Sequence, residues 1–255
     1  MKFLKYYIFA FCFLLLAACD SNSTITIRGK LTDNHHKMIY LSKVTVDGTV
    51  LYDSTEIRGG KFSFKIKAND EQGRLQLREP AFYQLSISSN NAFATIARAG
   101  EKLMVNAVAD SLVQTYTICG GRDAELMQQL DHQMKLYIDT VNWLENVAKF
   151  LPVDNDSIRE EMEIAYMQKV DNHTRWLNNF IQQNKTSLAV IPAFYRFYGR
   201  RHFFEEEKNL DLLKKVYQDL NEIYPNNENV QYLKQRIDIV EFKKIQVDTT
   251  RNIIQ

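Results

Sequence analysis

The chain has 255 residues, with 32 Lys and Arg against 31 Asp and Glu and a formal net charge of +1, so it is long enough for one large domain or two modest ones and is nearly neutral. Charges of both signs run along its whole length, which leaves neither the basic stripe of a nucleic-acid binder nor an acidic tail. Of three cysteines, Cys12 and Cys19 fall in the first segment, and Cys119 alone in the body excludes an internal disulfide there, a Cys-x-x-Cys pair and a cysteine zinc site.

The first predicted element is a leader. Lys2 and Lys5 precede an apolar run from about Tyr6 to Leu16, followed by Ala17, Ala18 and Cys19. A basic start, a short apolar core and small residues before a cysteine are the layout of a secretory signal, residues 1–18, cut so that Cys19 comes first and carries lipid. The run is shorter than the about 20 residues of a spanning helix, which argues against an uncleaved anchor. Each buried methylene of a palmitate-type chain adds about 0.8 kcal/mol to membrane attachment. The expectation is a cell-envelope lipoprotein, tethered through residues 19–23 and held on a membrane by the lipid on Cys19. The outer membrane is its preferred address, with the folded part in the periplasm or at the cell surface. Loss of Lys2 and Lys5 turns the formal balance slightly negative and implies no electrostatic partner.

From Ile25 to Cys119 the apolar period is two. Ile25 and Ile27, then Phe62, Phe64 and Ile66 against Lys61, Ser63, Lys65 and Lys67, then Leu75 and Leu77, are one-sided ladders of half-buried strands. Met38–Ser42, Val50–Ile57, Phe82–Ser88, Ala92–Arg98 and Lys102–Val108 are further strands, and Val113–Cys119 is a strand-like run in which Cys119 reads as a small buried hydrophobe. Asp33-Asn34, Asp47-Gly48, Gly59-Gly60, Asn69-Asp70, Asn90-Asn91 and Gly100-Glu101 supply turns between them. Short strands at this spacing predict an antiparallel β-sandwich over residues 24–119.

At Gly120-Gly121 the period changes. Leu126, Leu130, Met134, Tyr137, Val141, Leu144, Ala148 and Leu151 mark a long amphipathic helix with Asp123 near its start and Pro152 at its end. Ile158, Met162, Ala165, Lys169, His173, Trp176 and Phe180 mark a second, which begins near Asp156 or Ser157 and pairs with the first as an antiparallel hairpin because the link is short. Shorter helices are predicted at about Ser187–Tyr198, Asn209–Ile223 and Asn227–Phe242, and residues 243–255 read as a frayed tail or a linker. The predicted class is α+β, an N-terminal antiparallel sandwich followed by an α-helical region over residues 120–242.

Chemistry is sparse. His35, His36, His132, His173 and His202 are scattered, and His35-His36 lacks a spaced carboxylate, so it reads as a solvated loop. His132 beside Asp131 reads as a polar helix face, and His173 as a hydrogen-bonded core histidine. No Gly-x-Ser-x-Gly elbow, Ser-x-x-Lys set, His-Glu-x-x-His or glycine-rich phosphate loop occurs. Glu205-Glu206-Glu207 reads as a solvated charge run. No catalytic residue, metal ligand or cofactor site is assigned; the one site residue is Cys19, as the lipid acceptor.

Phe194-Tyr195-Arg196-Phe197-Tyr198 and Arg200, Arg201, His202, Phe203 and Phe204 crowd rings and arginines together. The main expectation is core packing of the third helix with the arginines as surface charge. The segment is also the best candidate for a contact surface, since aromatic and arginine residues suit interfaces.

Ile25-Thr26-Ile27-Arg28-Gly29-Lys30-Leu31, Met38-Ile39-Tyr40-Leu41, Tyr52-Asp53-Ser54, Gly60-Lys61-Phe62-Ser63-Phe64 and Ala97-Arg98-Ala99-Gly100-Glu101, in this order, resemble the domain of unknown function numbered 4369. Phe180-Ile181-Gln182-Gln183-Asn184-Lys185-Thr186-Ser187 and the run Leu210 to Ile239 are similar to the helical connector that follows this domain in Bacteroidota lipoproteins. The resemblance implies a lipoprotein of that lineage, in which the domain usually precedes a TlpA-like thioredoxin domain. The paired cysteines of such a domain are missing up to Gln255, so the oxidoreductase role is not carried over. The resemblance also implies candidate O-glycosylation sites, at most one or two of them used, at Asp53-Ser54-Thr55, Asp110-Ser111-Leu112, Asp139-Thr140-Val141, Asp156-Ser157-Ile158 and Asp248-Thr249-Thr250.

These readings converge on an anchored, non-catalytic binding or adaptor module whose partner is an envelope protein or ligand, with no cofactor and no nucleic acid. The alternatives are the N-terminal part of a thiol-disulfide oxidoreductase and an envelope glycan-binding protein with exposed aromatics on the sandwich.

Overall fold

The period-two runs fold as strands, and in most of them every second side chain turns into one core. The computed structural model describes residues 24–33, 35–67, 79–150 and 156–254. The leader, Cys19, the tether, the Leu75/Leu77 strand, the Asn69-Asp70 turn and the helix end at Pro152 lie outside them. The chain is α+β and divides into two compact units, Met1–Val44 with Thr49–Glu125, and Leu126–Gln255 with Thr45–Gly48.

In the first unit β1 (Thr24–Thr32), β4 (Lys61–Lys67), β7 (Lys102–Val108) and β8 (Thr117–Cys119) form one sheet in the order β4-β1-β7-β8. A second sheet, β3-β2-β5-β6, is built from β2 (Met38–Thr45), β3 (Gly48–Glu56), β5 (Ala81–Ser88) and β6 (Asn91–Ala97). Ile25, Ile27, Phe64, Leu103 and Val105 from one sheet and Ile39, Leu41, Tyr83, Leu85 and Phe93 from the other belong to a single buried cluster, which makes the pair a sandwich. The antiparallel expectation is corrected at one place: β1 and β7 pair in parallel, from Thr26↔Lys102 to Thr32↔Val108. The chain reaches β7 only after passing through the second sheet, and it returns in the direction of β1. Edge strand β3 also departs from the pattern, because Val50, Leu51 and Tyr52 are exposed one after another.

Gly29 is central to the first sheet. It pairs with Phe62 on β4 and Val105 on β7, and a Cβ there would lie 2.4 Å from the Phe62 ring and 2.7 Å from the Val105 carbonyl oxygen. Gly120 serves differently: its φ of +99° lets the chain leave β8, where a Cβ would meet the Lys102 carbonyl oxygen at 2.2 Å.

The strand expected over Val113–Cys119 is mostly a helical turn. A 3-10 turn at Ala109–Ser111 runs into α1 (Leu112–Thr115), and only the last three residues of the run are strand. The cause is distant in sequence. Asn91 accepts the Leu112 N–H at 2.8 Å and donates to the Ala109 carbonyl at 2.7 Å, satisfying backbone groups that a strand would have paired. In β8, Ile118 takes the inward position opposite Val105, so Cys119 faces outward beside Met104. Cys119 is exposed, which overturns its reading as a buried hydrophobe.

Helix α2 (Arg122–Lys149) starts within the first unit, where the buried Asp123 accepts Arg98 Nη2 at 2.9 Å and Glu125 accepts the Gly120 N–H at 3.1 Å. Acidic side chains in a first helical turn also suit the helix dipole.

In the second unit α2 buries Met127, Leu130, Met134, Tyr137, Val141 and Leu144, and α3 (Asp156–Gln183) buries Val170, His173, Leu177, Phe180 and Ile181. Ala148 and Lys169, expected on the inner faces, are exposed. Tyr137 and His173 stack on each other, each several turns from the connection, a contact that so short a link permits only to an antiparallel hairpin. The helix expected over Ser187–Tyr198 shrinks to α4 (Val190–Phe194); Gly199, at φ +58°, then turns the chain between β9 (Phe197–Tyr198) and β10 (Arg201–His202). α5 (Leu210–Ile223) and α6 (Glu228–Ile254) pack on each other through stripes such as Leu213, Val216 and Leu220, and Val230, Leu233 and Ile237. Residues 243–254 continue α6, correcting the frayed-tail expectation: neither Gly nor Pro follows Pro225 to break the helix.

Gly29→Ala is expected to lower stability by about 1–3 kcal/mol, because neither the Phe62 ring nor the β7 backbone can retreat without strain. Urea unfolding of the purified protein measures it, and an unchanged midpoint would show the site to be loosely packed.

Candidate functional site

The residues singled out in the sequence fall into separate places. His35 is exposed; His36 meets the exposed Asp110, with Nε2 2.6 Å from Oδ1, so it has the carboxylate partner that sequence spacing did not show. His132 faces solvent, whereas its neighbour Asp131 turns inward and pairs with Arg196. Thr140, in Asp139-Thr140-Val141, donates to the Leu136 carbonyl within α2, and Ser54 lies on exposed edge strand β3. Among the described residues no group of three or more His, Cys, Asp or Glu side chains could hold a metal ion. No helix among them is long and apolar enough to cross a membrane.

The aromatic and arginine segment divides into an inner and an outer part. Phe194, Phe203 and Phe204 are buried, with Phe194 and Phe204 stacked at 5.4 Å. Phe197, Arg200, Arg201 and His202 are exposed on the β9-β10 ribbon. Arg201 lies over the Tyr166 ring, 5.6 Å from its centroid, and Tyr198 donates its hydroxyl to Asn142 Oδ1 at 3.0 Å. Tyr166, Tyr198, Arg200, Arg201, His202 and Glu205 border an open cleft of about 680 Å³.

Glu206 corrects the solvated-run reading of Glu205-Glu206-Glu207. It accepts Arg236 Nε at 2.9 Å and Nη2 at 2.5 Å, and the Tyr195 hydroxyl at 2.8 Å. The hydrogen-bonded guanidinium holds the Glu206 carboxyl below its ordinary range, while burial pushes the Tyr195 hydroxyl up. A two-pronged guanidinium–carboxylate pair fixes direction as well as distance, so the segment after β10 is clamped to α6.

A second, smaller cleft of about 280 Å³ opens between α2 and α3. Gln133, Leu136, Tyr137 and Thr140 line it from α2, and Lys169, Asn172, His173 and Trp176 from α3. The Tyr137 and His173 rings stack at 4.7 Å, and Phe203 stands against His173 at 4.6 Å with an interplanar angle of 60°. His173 is buried as expected, yet its Nε2 has no hydrogen-bond partner, which corrects the expectation of a hydrogen-bonded core histidine. The rings that pack it offer faces and edges but no acceptor in its plane. Burial, with Arg196 adding to it, pushes the imidazole down to about 4, so it is neutral at neutral pH. Lys169, His173 and Trp176 lie on the stripe read in the sequence as packing, and Asn172, not read there, falls on the same helix face.

The described residues form two compact units and, in the second, two surface clefts. Residues 25–127 match the family described as Domain of unknown function (DUF4369), which covers the sandwich and the first turns of α2. Neither a curated protein nor a solved structure matches the chain.

The displaced imidazole gives an acid-sensitivity test. Because His173 binds its proton less readily in the folded chain than at its ordinary 6.5, its contribution is complete above that pH and is lost as pH falls towards about 4. Over that window it is expected to remove about 3 kcal/mol. His173→Phe should flatten this part of the profile, read as the difference between wild-type and variant urea midpoints at successive pH values; parallel profiles would refute it.

Proposed function

We propose that this protein is a lipid-anchored, non-catalytic binding or adaptor module of the cell envelope, held on a membrane through Cys19. The observation that carries the binding role is the β9-β10 ribbon. Its foundation is fixed by the Glu206 clamp and by the Asp131–Arg196 pair, while Phe197, Arg200, Arg201 and His202 face solvent. Aromatic and arginine side chains on a rigid support are suited to recognition, since little conformational freedom is lost when a partner arrives. The DUF4369 match supports kinship with Bacteroidota lipoproteins, in which this domain usually precedes a TlpA-like thioredoxin domain. The leader pattern supports the anchor and an outer-membrane address.

A second reading, the N-terminal part of a thiol-disulfide oxidoreductase, draws on α6. Phe242 and Ile245 are 61% and 64% exposed beyond its buried stripe, as they would be on a helix leading to a further domain.

The intact mass of the protein extracted from its native membrane separates the readings. Residues 19–255 plus acyl groups is the expected result for the anchored module; a mass greater by about 100–150 residues would establish the longer protein. Turnover of any substrate that is lost on Glu205→Gln, at the rim of the larger cleft, would overturn the non-catalytic role.

A further inference from the structure

The two outer arginines of the ribbon carry donors that the fold does not use. Arg201 pairs with Tyr198 across the short turn Gly199-Arg200, so the two side chains leave the same face of the ribbon, and both border the larger cleft. Arg200 and Arg201 are exposed, and among the described residues neither has a carboxylate within 4.0 Å or a side-chain hydrogen bond. Arg196 and Arg236 differ, each being met by a carboxylate at 2.5 Å. The one contact of Arg201 is with the Tyr166 ring, an attraction that draws on its charge and leaves its N–H groups for an acceptor.

The lining restricts what that acceptor is. Its fixed charges are Arg200, Arg201 and Glu205, which leave one net positive charge. That matches a single carboxylate better than a phosphate monoester, which is close to doubly charged at neutral pH and would be repelled by Glu205. Lys208 occupies Oε1 of Glu205 at 2.8 Å, and Oε2 stays open to a donor, so the site presents an acceptor beside its cationic donors. An acidic side chain on a polypeptide meets both, since main-chain N–H groups flank its carboxylate. The cleft is open and, at about 680 Å³, far larger than one carboxylate, which suits an extended chain lying across it rather than a small acid enclosed by it. The rings are committed to protein contacts rather than laid out as a platform for sugars. Arg201 lies over Tyr166, while Tyr198 stands edge-on to Tyr137 and gives its hydroxyl to Asn142.

We propose that the larger cleft takes an extended acidic segment of a partner protein, with one side-chain carboxylate received by Arg200 and Arg201 and a neighbouring main-chain N–H donating to Glu205. This rests on the reading of the ribbon as a recognition surface and adds the chemistry of what it recognises. The cost of ordering the site is low, because the β9-β10 turn is closed by the Phe203 N–H on the Arg196 carbonyl at 3.3 Å and Arg196 is itself held by Asp131.

The arginine Nε–H signals of the isotope-labelled mature chain report the site directly, and Arg200→Gln and Arg201→Gln assign them. The chain is titrated with an acetylated and amidated peptide, Gly-Tyr-Glu-Tyr-Gly, and with the same peptide carrying Gln for Glu. The Glu peptide is expected to shift the Arg200 and Arg201 signals saturably and to bind about tenfold or more tightly than the Gln peptide, while Arg58, an exposed arginine on the sandwich, does not move. Arg201→Lys, which keeps the charge but loses the planar donor group, is expected to weaken binding about threefold or more, with an unchanged thermal midpoint. Should a variant fail to fold, the Glu-against-Gln comparison on the unaltered chain still decides the matter. Equal affinity for the two peptides, equal shifts at Arg58, or tighter binding of inorganic phosphate would overturn the proposal. Tetragalacturonate or phosphatidylglycerol vesicles that move the two arginine signals where the Glu peptide does not would also overturn it, yet would leave the ribbon a recognition surface for another class of partner. Silence with every probe would count against both the acidic segment and the ribbon, whereas the anchor is judged separately by the intact mass.

Discussion

The helical unit depends on a seam of rings that admits no charge. Tyr137 of α2 and His173 of α3 stack across the hairpin, Phe203 closes against both rings, and Tyr198 stands edge-on to Tyr137 at 5.8 Å. Offset and edge-to-face arrangements of this kind add about 0.5–1.5 kcal/mol per pair beyond the area they bury. They also fix angles, so the ribbon that carries Tyr198 and Phe203 is positioned by the same contacts that hold the two helices together. A protonated His173 would place a cation in this seam beside the guanidinium of Arg196, and the fold is therefore committed to the neutral ring. From that commitment follows the acid sensitivity of the unit.

The sandwich solves a different problem, that of returning the chain to a sheet in the direction in which it left. The parallel β1–β7 pair is the result, and Gly29 lies where β1 meets β4 and β7 at once. The Phe62 ring occupies the space of the absent Cβ, so an aromatic covers what would otherwise be a bare backbone at the middle of the sheet. Tight closure there leaves the irregular stretch after β7 to be satisfied from a distance. Asn91 does this with both ends of its amide, and Tyr116 completes the closure by stacking on Phe93 at 3.9 Å.

What the sequence makes legible follows from the range of the forces involved. Alternation reports which side of a strand is wet, and Phe62, Phe64 and Ile66 between lysines are read correctly on that basis. Steps of three and four likewise give both arms of the hairpin. Neither pattern reports pairing direction, so the parallel strand was invisible. Nor does either report a side chain acting on a distant backbone, as Asn91 does on Ala109 and Leu112. Val50, Leu51 and Tyr52 break the alternation and are exposed together on β3, a departure already visible in the residues themselves. Cys119 was misplaced because a three-residue strand has one inward position, and Ile118 takes it.

The arginines of the second unit show how little a cluster of like residues says about its role. Arg196, Arg200, Arg201 and Arg236 lie near one another in sequence or in space, and two have become structural because a carboxylate meets them from far along the chain. Asp131 is 65 residues from Arg196 and Glu206 is 30 from Arg236, separations at which no local motif exists. Both carboxylates are largely shielded from solvent, at 9% and 12% side-chain exposure, where removing one partner of an ion pair costs far more than at the surface. These pairs are therefore locked into the fold. Arg200 and Arg201 stay at the surface, and Arg201 spreads its guanidinium on Tyr166 while its charge still faces water. A flat cation held in this way is ordered before any partner binds, which a lysine on the same ribbon would not be. The inner arginines supply the rigidity, and the outer pair supplies a surface that rigidity makes usable.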